Sequence, residues 1–312
     1  MAAQAFQVAL RSESEDPFIW ARLGEAYAKA GKQVASLKAL YHALQLAPDM
    51  WMCYYHIGNV HQQLGSYGQA ISAYERILQH HPDEAGVVLA LAEAWLAMGK
   101  AECAIGLRER AYRSSVHCIE RVASIIPTTQ LYRRTTWKLF ADACLNIVAA
   151  VSDEDDLSDA LEAVLPILEH LAEADTAKAA DIADVASTAS LIDSDRFGRR
   201  EILKAGILAF TYRADLLKFD TKIAEIPLYD KACALHMLVL NLMAIDRKHK
   251  EIPAARNAAL LAIKSALDVD PSSPSLWNAF AVFAAPASVE LAQHAYSLSL
   301  RLEPKVSCGL NL

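Results

Sequence analysis

The ten histidines are the residues of this chain with the widest chemical range, because a neutral imidazole binds metal ions and also moves protons near neutral pH. A helical metal site needs two ligands at positions i and i+4, where both side chains leave the same face. His56 and His61 are five residues apart and His80 and His81 are adjacent, so neither pair has this spacing. We therefore expect ordinary hydrogen-bonded or solvated histidines, no metal ligands and no cofactor.

Nucleophilic catalysis has equally little support in the sequence. His117 directly precedes Cys118, but the fold, and not adjacency in the chain, brings a catalytic cysteine and its histidine together. The six cysteines include no C-x-x-C pair, and the sequence has no G-x-x-x-x-G-K-[ST] phosphate-binding loop. The sequence predicts no catalytic residue, and we expect the protein not to be an enzyme.

The stretch WARLGEAYAKAG, which begins at Trp20, shows which elements organise the chain. Trp20, Leu23, Gly24 and Tyr27 fall at i, i+3, i+4 and i+7 and so line one face of a helix. A glycine within that face costs about 1 kcal/mol of helix propensity relative to alanine, which indicates that a second helix approaches closely there. Gly31 is typical of a helix C-terminus, so the stretch predicts the first helix of a helical hairpin.

The hairpin repeats with a period of 34 residues. The recurring positions are Gly24, Gly31, Ser36, Leu40, Ala43 and Pro48 in the first copy and Gly58, Gly65, Ala70, Tyr74, Ile77 and Pro82 in the second. A third copy begins with Leu91, Ala92 and Trp95, where Ala92 takes the place of the glycine, and it continues through Gly99 and Ala111. A helix-turn-helix period of this length resembles the tetratricopeptide repeat.

Later segments follow the same landmarks less regularly. Trp137 starts a helix with the spacing of the opening one, and Pro166 interrupts a helical region rich in alanine and leucine. The last unit opens at Trp277 and closes with Ala292 and Pro304. No segment alternates polar and apolar residues as a β-strand would. The sequence therefore predicts an all-α fold, a tetratricopeptide-repeat superhelix or α-solenoid of antiparallel helix pairs.

These landmarks also divide the chain into units. We expect a partial repeat helix and loop at 1–16, tetratricopeptide repeats at 17–50 and 51–84, a repeat with an elongated second helix at 85–126, irregular helical repeats at 130–228, repeat-like hairpins at 229–274 and 275–305, and a tail at 306–312. Neither end has the polar cap that a stack of repeats needs. We expect the chain to be a fragment of a longer protein.

Composition and charge restrict the partners and the compartment. The net charge is −7, residues 153–156 form an acidic run that predicts a solvated loop, and no basic stripe is interleaved with aromatic residues. Direct RNA binding is therefore unsupported. The longest largely apolar stretch, 232–245, is shorter than the roughly 20 residues that span a bilayer, so we expect no membrane. Scattered cysteines and an N-terminus without a secretory signal favour the cytoplasm.

The landmark residues are expected to act in packing and in contact with partners. Large amphipathic rings dominate interface energetics, so Trp51 and Tyr55, with Asn59 on the same helix, are the predicted partner-binding residues. The predicted structural positions are Trp20, Leu23, Gly24, Tyr27, Pro48, Gly58, Ala70, Tyr74, Pro82, Trp137, Trp277, Ala292 and Pro304.

Longer segments resemble one family. The tetratricopeptide-repeat scaffold subunit of the superkiller (SKI) complex is similar to this chain in LGEAYAKAGKQVASLKALYHALQLAP, in YERILQHHPDEAGVVLALAEAWLAMGKAE, in GLRERAYRSSVHCIERV with the following TTWKLFADACL, and in WNAF with ELAQHAYSLSL. The resemblance covers residues 15–145 and 255–304 and is faint between 150 and 228. It implies a subunit without catalytic activity that holds a DExH-box RNA helicase and WD40-propeller subunits together, so that RNA reaches the cytoplasmic exosome for 3′ to 5′ decay.

The alternative is a tetratricopeptide-repeat adaptor or co-chaperone of another complex. Gripping the C-terminal carboxylate of a chaperone needs cationic and amide side chains from the first helices of successive repeats. Tyr55 and Asn59 lie on such a helix, but the corresponding region of the third repeat offers Gly86, Val87 and Ala90. The cations that this grip requires are missing from the predicted positions.

Overall fold

The protein is all-α. The computed structural model describes residues 2–127, 133–152, 157–173, 198–220 and 223–303, together with positions 155 and 191. Within these residues every regular element is a helix and no β-strand occurs, which confirms the predicted fold class. The chain divides into two compact units, unit 1 (residues 1–125) and unit 2 (residues 126–312).

Unit 1 consists of one helix followed by three helical hairpins. Its helices are α1 (Ala2–Ser12), α2 (Pro17–Lys29), α3 (Gln33–Leu46), α4 (Trp51–Gln63), α5 (Tyr67–Leu78), α6 (Ala85–Ala104) and α7 (Arg108–Ile125). The most extensive contacts pair α2 with α3, α4 with α5, and α6 with α7, and smaller contacts join each hairpin to the next. Helix α1 packs on α2, in the place that the second helix of a preceding hairpin would occupy.

Each hairpin of unit 1 turns at a glycine with positive φ. The φ angles are 71° at Gly31, 72° at Gly65 and 82° at Gly106, which glycine adopts without steric cost. The amide after each glycine donates to the carbonyl five residues before it: Lys32 to Tyr27 at 2.9 Å, Ser66 to His61 at 2.8 Å and Leu107 to Glu102 at 2.9 Å. This Schellman pattern satisfies carbonyls that the ends of α2, α4 and α6 would otherwise leave unpaired.

The third hairpin departs from the predicted 34-residue register. Gly99, the predicted turn, is buried within α6, and the turn lies seven residues later at Gly106. Counted back from the turn, Gly99 is the counterpart of Gly24 and Gly58, so the prediction that Ala92 takes the glycine position is corrected. The elongation also lies in both helices, because α6 has 20 residues and α7 has 18. Seven residues are almost two helical turns, so the insertion preserves the buried face and hides the shift from sequence periodicity.

The glycines inside α2 and α4 let the second helix of each hairpin approach closely. A Cβ atom at Gly24 would lie 2.6 Å from Leu40 Cγ, and one at Gly58 would overlap the ring of Tyr74, 2.7 Å from its Cζ. Ser36 Oγ also donates to the carbonyl of Gly24 at 2.7 Å. The helical propensity lost at these glycines is offset by this close packing.

Gly58→Ala is expected to destabilise the protein by about 1–3 kcal/mol, because the added methyl group overpacks the core, even after its gain in helix propensity. Urea unfolding followed by circular dichroism measures the change. Gly68→Ala is the matched control, because Gly68 lies in α5 with nothing within 4 Å of the added atom. It should be neutral or stabilising by up to about 1 kcal/mol. Equal stability of the two variants would contradict the predicted close approach.

The predicted structural positions differ in burial. Leu23, Gly24, Gly58, Ala70, Tyr74, Trp137 and Ala292 are buried, Trp20, Tyr27 and Trp277 are half-buried, and Pro48 and Pro82 are exposed. Pro304 lies outside the described residues. Pro48 and Pro82 follow the ends of α3 and α5, so they mark helix ends and contribute little to packing. The two half-buried tryptophans use their indole N–H in the same way: Trp20 donates to the carbonyl of Ser14 at 2.7 Å and Trp277 to that of Pro271 at 2.8 Å.

Unit 2 contains the remaining described helices. These are α8 (Arg133–Ala150), α9 (Ser158–Glu173), α10 (Arg199–Leu217), α11 (Glu225–Ile245), α12 (Ile252–Val269), α13 (Pro274–Ala284) and α14 (Val289–Leu302). Helix α10 packs on α8, α9 and α11, and the later helices pair in sequence, α11 with α12 and α13 with α14. Pro166 lies inside α9, which continues through it from Ser158 to Glu173, so the predicted interruption of the helix is corrected. The predicted tail at 306–312 and most of the acidic run at 153–156 lie outside the described residues.

An ion-pair network joins three helices of unit 2. Arg213 of α10 and Asp230 of α11 are bonded through Nη1 and Oδ2 at 2.6 Å, and Lys138 Nζ of α8 lies 3.5 Å from the same Asp230 oxygen. Lys138 also approaches Asp142 at 3.4 Å. The Arg213 side chain is only 10% exposed, so the Asp230 carboxylate, in place of water, compensates its positive charge.

One described helix, α11, is long and apolar enough to cross a membrane by length and composition alone. It exceeds the apolar stretch 232–245 because it begins at Glu225 and includes Asp230 and Lys231. Helices α10 and α12 both pack against it, and Asp230 is engaged by Arg213. A buried core helix meets the same criterion, so the criterion alone does not assign α11 to a membrane.

Candidate protein-binding surface

The three predicted partner-binding residues all lie on α4 and are half-buried. The Trp51 ring lies 5.9 Å from that of His81, and the Tyr55 ring lies 6.0 Å from that of Tyr74. Asn59 Oδ1 accepts a hydrogen bond of 2.7 Å from the Tyr74 hydroxyl. The structure thus places the three on one helix, with part of each side chain committed to packing inside unit 1.

Asn59 belongs to a set of equivalent positions on the first helices of unit 1. Counted from the turn glycines, its counterparts are Glu25 on α2 and Lys100 on α6. Hydrogen bonds from Lys29 and Arg22 lower the pKa of Glu25 to about 2, so this carboxylate is charged near neutral pH. The three positions present an anion, an amide and a cation in succession.

Aligning the hairpins on their turn glycines corrects the comparison with a chaperone-binding adaptor. The residues of α6 that correspond to Tyr55 and Asn59 are Leu96 and Lys100, not the predicted region of Gly86, Val87 and Ala90. A cation is therefore present on the third hairpin. The ionised Glu25 at the equivalent position of the first hairpin opposes the binding of a carboxylate, so the set as a whole does not form a cationic grip.

A cavity of about 850 Å³ lies elsewhere in unit 1, around the exposed side of α5. We call it the α5 groove. Helices α3 to α7 and the turn at Gly65 line it, and its lining includes Tyr41, Tyr54, His61, Tyr67, Ser72, Arg76, Met98, Glu102, Ile105 and Arg110. Its lining combines aromatic rings, hydroxyl groups and two guanidinium groups, which is a composition suited to peptide binding.

An aromatic ring and a basic side chain meet at the same place in all three hairpins. The pairs are Trp20 with His42 at 4.4 Å between ring centroids, Tyr54 with Arg76 at 4.5 Å from guanidinium carbon to ring centroid, and Trp95 with His117 at 4.7 Å between centroids. The basic member lies on the second helix of its hairpin in each case. Only the middle pair has an arginine, which is charged at every physiological pH.

His61 occupies a position where the neighbouring hairpins have different polar groups. It is only 9% exposed, burial lowers its pKa, and its Nδ1 atom has no hydrogen-bond partner in the described part of the chain. Its counterpart Glu102 is fully engaged, with Arg110 Nε at 3.0 Å and Ser114 Oγ at 2.7 Å. Its counterpart Tyr27 receives a hydrogen bond from Gln7 at 2.5 Å.

The His, Cys, Asp and Glu side chains that could bind a metal ion or act in catalysis are not clustered among the described residues. Among the described residues, no group of three or more His, Cys, Asp or Glu side chains is arranged to hold a metal ion. His117 Nδ1 lies 3.0 Å from Glu120 Oε2 and its ring packs on Trp95, whereas Cys118 is buried.

The sequence contained a pattern that indicates the α5 groove, at repeat positions that are not among the landmark residues. Arg76 follows His42 by one period of 34 residues, and His61 follows Tyr27 by the same interval. These positions vary between repeats, whereas the landmarks recur, and variable positions on a repeated scaffold are where binding specificity is expected. Arg110 enters the groove only because the third turn moves to Gly106.

Comparison with known proteins agrees with this architecture. Residues 61–110 match the family model of the tetratricopeptide repeat. The helical hairpins, their glycine turns and this match define the class of the chain, which has a tetratricopeptide-repeat fold.

Within that class the chain is similar to Superkiller protein 3. It is 34% identical over 143 residues to the protein of that name from Schizosaccharomyces pombe, covering 45% of this chain and 10% of the relative. The human Superkiller complex protein 3 is 30% identical over 151 residues, covering 47% and 9%. Superkiller protein 3 of Saccharomyces cerevisiae is 23% identical over 303 residues, covering 97% and 21%.

The predicted resemblance to the superkiller scaffold subunit is confirmed as a sequence similarity. The chain spans about a tenth to a fifth of the length of these three relatives.

Proposed function

We propose that this chain is part of a non-catalytic scaffold of the SKI complex, which assists the cytoplasmic exosome in 3′ to 5′ mRNA decay. Its partners are a DExH-box RNA helicase and WD40-propeller subunits, and it meets the exosome indirectly. The observation that carries the proposal is the 34% identity to Superkiller protein 3 of Schizosaccharomyces pombe over 143 residues.

The side chains of the described residues support a binding role over a catalytic one. The polar groups with shifted pKa values lie on different hairpins, as Glu25 of α2 and His61 of α4 illustrate. Stacked hairpins instead offer extended surfaces, on which short segments of other proteins bind through a few anchors. Trp51, Tyr55 and Asn59 contribute the exposed part of their side chains to such contacts.

A second candidate is a tetratricopeptide-repeat adaptor of another complex. The chain is 30% identical over 94 residues to the BBSome complex member BBS4 of Xenopus tropicalis, covering 30% of this chain and 18% of that protein. Part of the chain is therefore also similar to a member of a different complex.

Affinity purification from cells distinguishes these two functions. We expect the tagged chain to enrich a DExH-box helicase and a WD40 protein over a control purification with an unrelated tetratricopeptide-repeat protein. Ribonuclease treatment should leave the enrichment unchanged, because direct RNA binding is not part of the proposal. Enrichment of chaperones or of another complex, without the helicase and the WD40 protein, would replace the scaffold proposal with the adaptor.

A further inference from the structure

We propose that the α5 groove of unit 1 binds an acidic, partly apolar peptide segment of a partner protein. Carboxylates of the segment would lie at Arg76 and Arg110, and an apolar side chain would lie beside Ile105. The inference goes beyond the proposed scaffold function, because it assigns a surface and a ligand chemistry without depending on which complex the chain joins.

Size and shape favour a peptide over a small enclosed ligand. The groove has a volume of about 850 Å³ and is open to solvent along residues of α5 such as Ser72 and Arg76, both of which are exposed. That volume is near the upper end of ordinary ligand pockets. An open groove of this size accommodates several consecutive side chains of an extended or helical segment.

The charge of the groove favours an acidic ligand. The guanidinium carbon of Arg76 lies over the Tyr54 ring, 4.5 Å from its centroid, and the Arg76 residue is exposed to solvent. Arg110 contacts Glu102 through Nε. Two guanidinium groups therefore share a groove with one carboxylate, and Glu102 is already held by Ser114 as well.

His61 is a buried polar residue of the groove wall whose hydrogen bonding is incomplete. Its side chain is more than nine-tenths buried at the groove wall, yet Nδ1 has no partner among the described residues. A buried polar atom without a hydrogen bond is costly, so a rearrangement of the groove wall on binding that lets a ligand group pair with this enclosed atom would recover that cost. A neutral imidazole, favoured here by burial, is able either to donate or to accept this bond.

Apolar side chains at the end of the groove near the turn at Gly106 indicate that part of the ligand is apolar. Ile105 is 72% exposed, and Met98 and Tyr67 line the groove with it. An exposed isoleucine at the edge of a charged groove is the arrangement in which an amphipathic segment gains both apolar burial and charged hydrogen bonds.

The corresponding cavity of the first hairpin provides an internal comparison. It has a volume of about 640 Å³ and is lined by the equivalent positions, including Tyr27 and His42. There, Gln7 of α1 already donates to the Tyr27 hydroxyl, and His42 replaces the arginine. Because Arg11 and Lys38 also line that cavity, permanent cations are common to both cavities, and the unpaired ring nitrogen of His61 is what distinguishes the second hairpin.

Fluorescence anisotropy with the purified full chain tests the inference. The probe is a fluorescein-labelled peptide of repeated Glu-Glu-Leu-Leu units, and its control has glutamine in place of every glutamate. We expect the acidic peptide to bind about tenfold or more tightly than the glutamine peptide, with an affinity that falls as salt is added. Equal binding of the two peptides would overturn the proposal.

Three substitutions locate the binding. Arg76→Glu should weaken binding of the acidic peptide about tenfold or more. Ser72→Glu should do the same while keeping the fold, because the introduced carboxylate lies one helical turn from Arg76 and pairs with it. Arg121→Glu, an exposed change of the same charge on α7 outside the groove lining, should leave affinity unchanged.

Melting curves show whether each of these variants is folded. An equal loss in Arg121→Glu would assign the binding to general charge and would overturn the groove. A uridine oligonucleotide that binds at the groove and displaces the peptide would also overturn the peptide assignment. Because only the purified chain and synthetic probes are used, failure here leaves the result of the cellular purification unaffected, and the reverse also holds.

Discussion

Replacing Tyr74 with alanine is expected to destabilise unit 1 by about 3–5 kcal/mol, because the side chain is large and fully buried. Tyr74 is 0% exposed and packs in the core cluster that joins α4, α5 and α6. Its ring fills the space that Gly58 leaves open, and its hydroxyl donates to Asn59 at 2.7 Å. Urea unfolding followed by circular dichroism measures the loss, and hydrogen exchange should localise it to residues 1–125.

Two control variants separate the contributions of Tyr74. Tyr74→Phe keeps the ring and removes only the hydroxyl, so a loss of about 1–2 kcal/mol is expected. Tyr41→Ala removes a tyrosine that is 48% exposed, and we expect a change within about 0.5 kcal/mol. A loss for Tyr74→Ala no larger than that for Tyr41→Ala would show that the second hairpin is not packed as described.

Asp230→Ala is expected to destabilise unit 2 by about 3–5 kcal/mol, because it leaves the buried guanidinium group of Arg213 without its partner. Arg213 Nη1 and Asp230 Oδ2 meet at 2.6 Å, and the buried Arg213 Nε atom has no hydrogen-bond partner among the described residues. Lys138 loses its 3.5 Å contact with the same oxygen and retains Asp142. Hydrogen exchange should show the loss within residues 126–312.

A double substitution distinguishes the unpaired charge from general disruption. Arg213→Met combined with Asp230→Leu replaces the pair with apolar side chains, and most of the lost stability should return. Asp268→Ala, at an exposed position of α12, is the matched control and should change stability by less than about 0.5 kcal/mol. If the double variant is as unstable as Asp230→Ala, the effect of the single change does not arise from an unpaired charge.

The loss of stability in Tyr74→Ala and in Asp230→Ala should have different effects on the proposed binding surfaces of unit 1. Tyr74 supports Asn59 directly, and the helix on which it lies carries Arg76. A repeat contacts only its neighbours, so the loss of one hairpin core removes the surfaces beside it. Peptide binding at the α5 groove should therefore be lost in Tyr74→Ala under conditions where unit 1 is unfolded, and it should be retained in Asp230→Ala.

The first two hairpins could be predicted closely from sequence because local rules agree there. Helices α2 and α4 have glycines at their buried face and at their C-terminal turns, and α3 and α5 are followed by Pro48 and Pro82. Periodicity, capping and helix-ending residues all point to the same structure. The third hairpin was misplaced because an insertion of seven residues leaves the periodicity of the buried face intact.

The candidate site was less predictable. The sequence indicated Trp51, Tyr55 and Asn59 by residue type, but their contacts with His81 and Tyr74 depend on how α4 meets its neighbours. The α5 groove was not predicted, because no local rule relates Arg76 to Tyr54, which is 22 positions earlier in the chain.

By itself, the sequence determined that this protein is a series of helical hairpins similar to Superkiller protein 3, since helix periodicity, turn glycines and repeat length are written locally along the chain. Only the tertiary structure decided which polar groups are satisfied, such as Glu102, and which are not, such as His61. The reason is physical: helix formation depends on neighbours within a few residues, whereas burial, hydrogen bonding and charge pairing depend on side chains that meet only when separate helices pack.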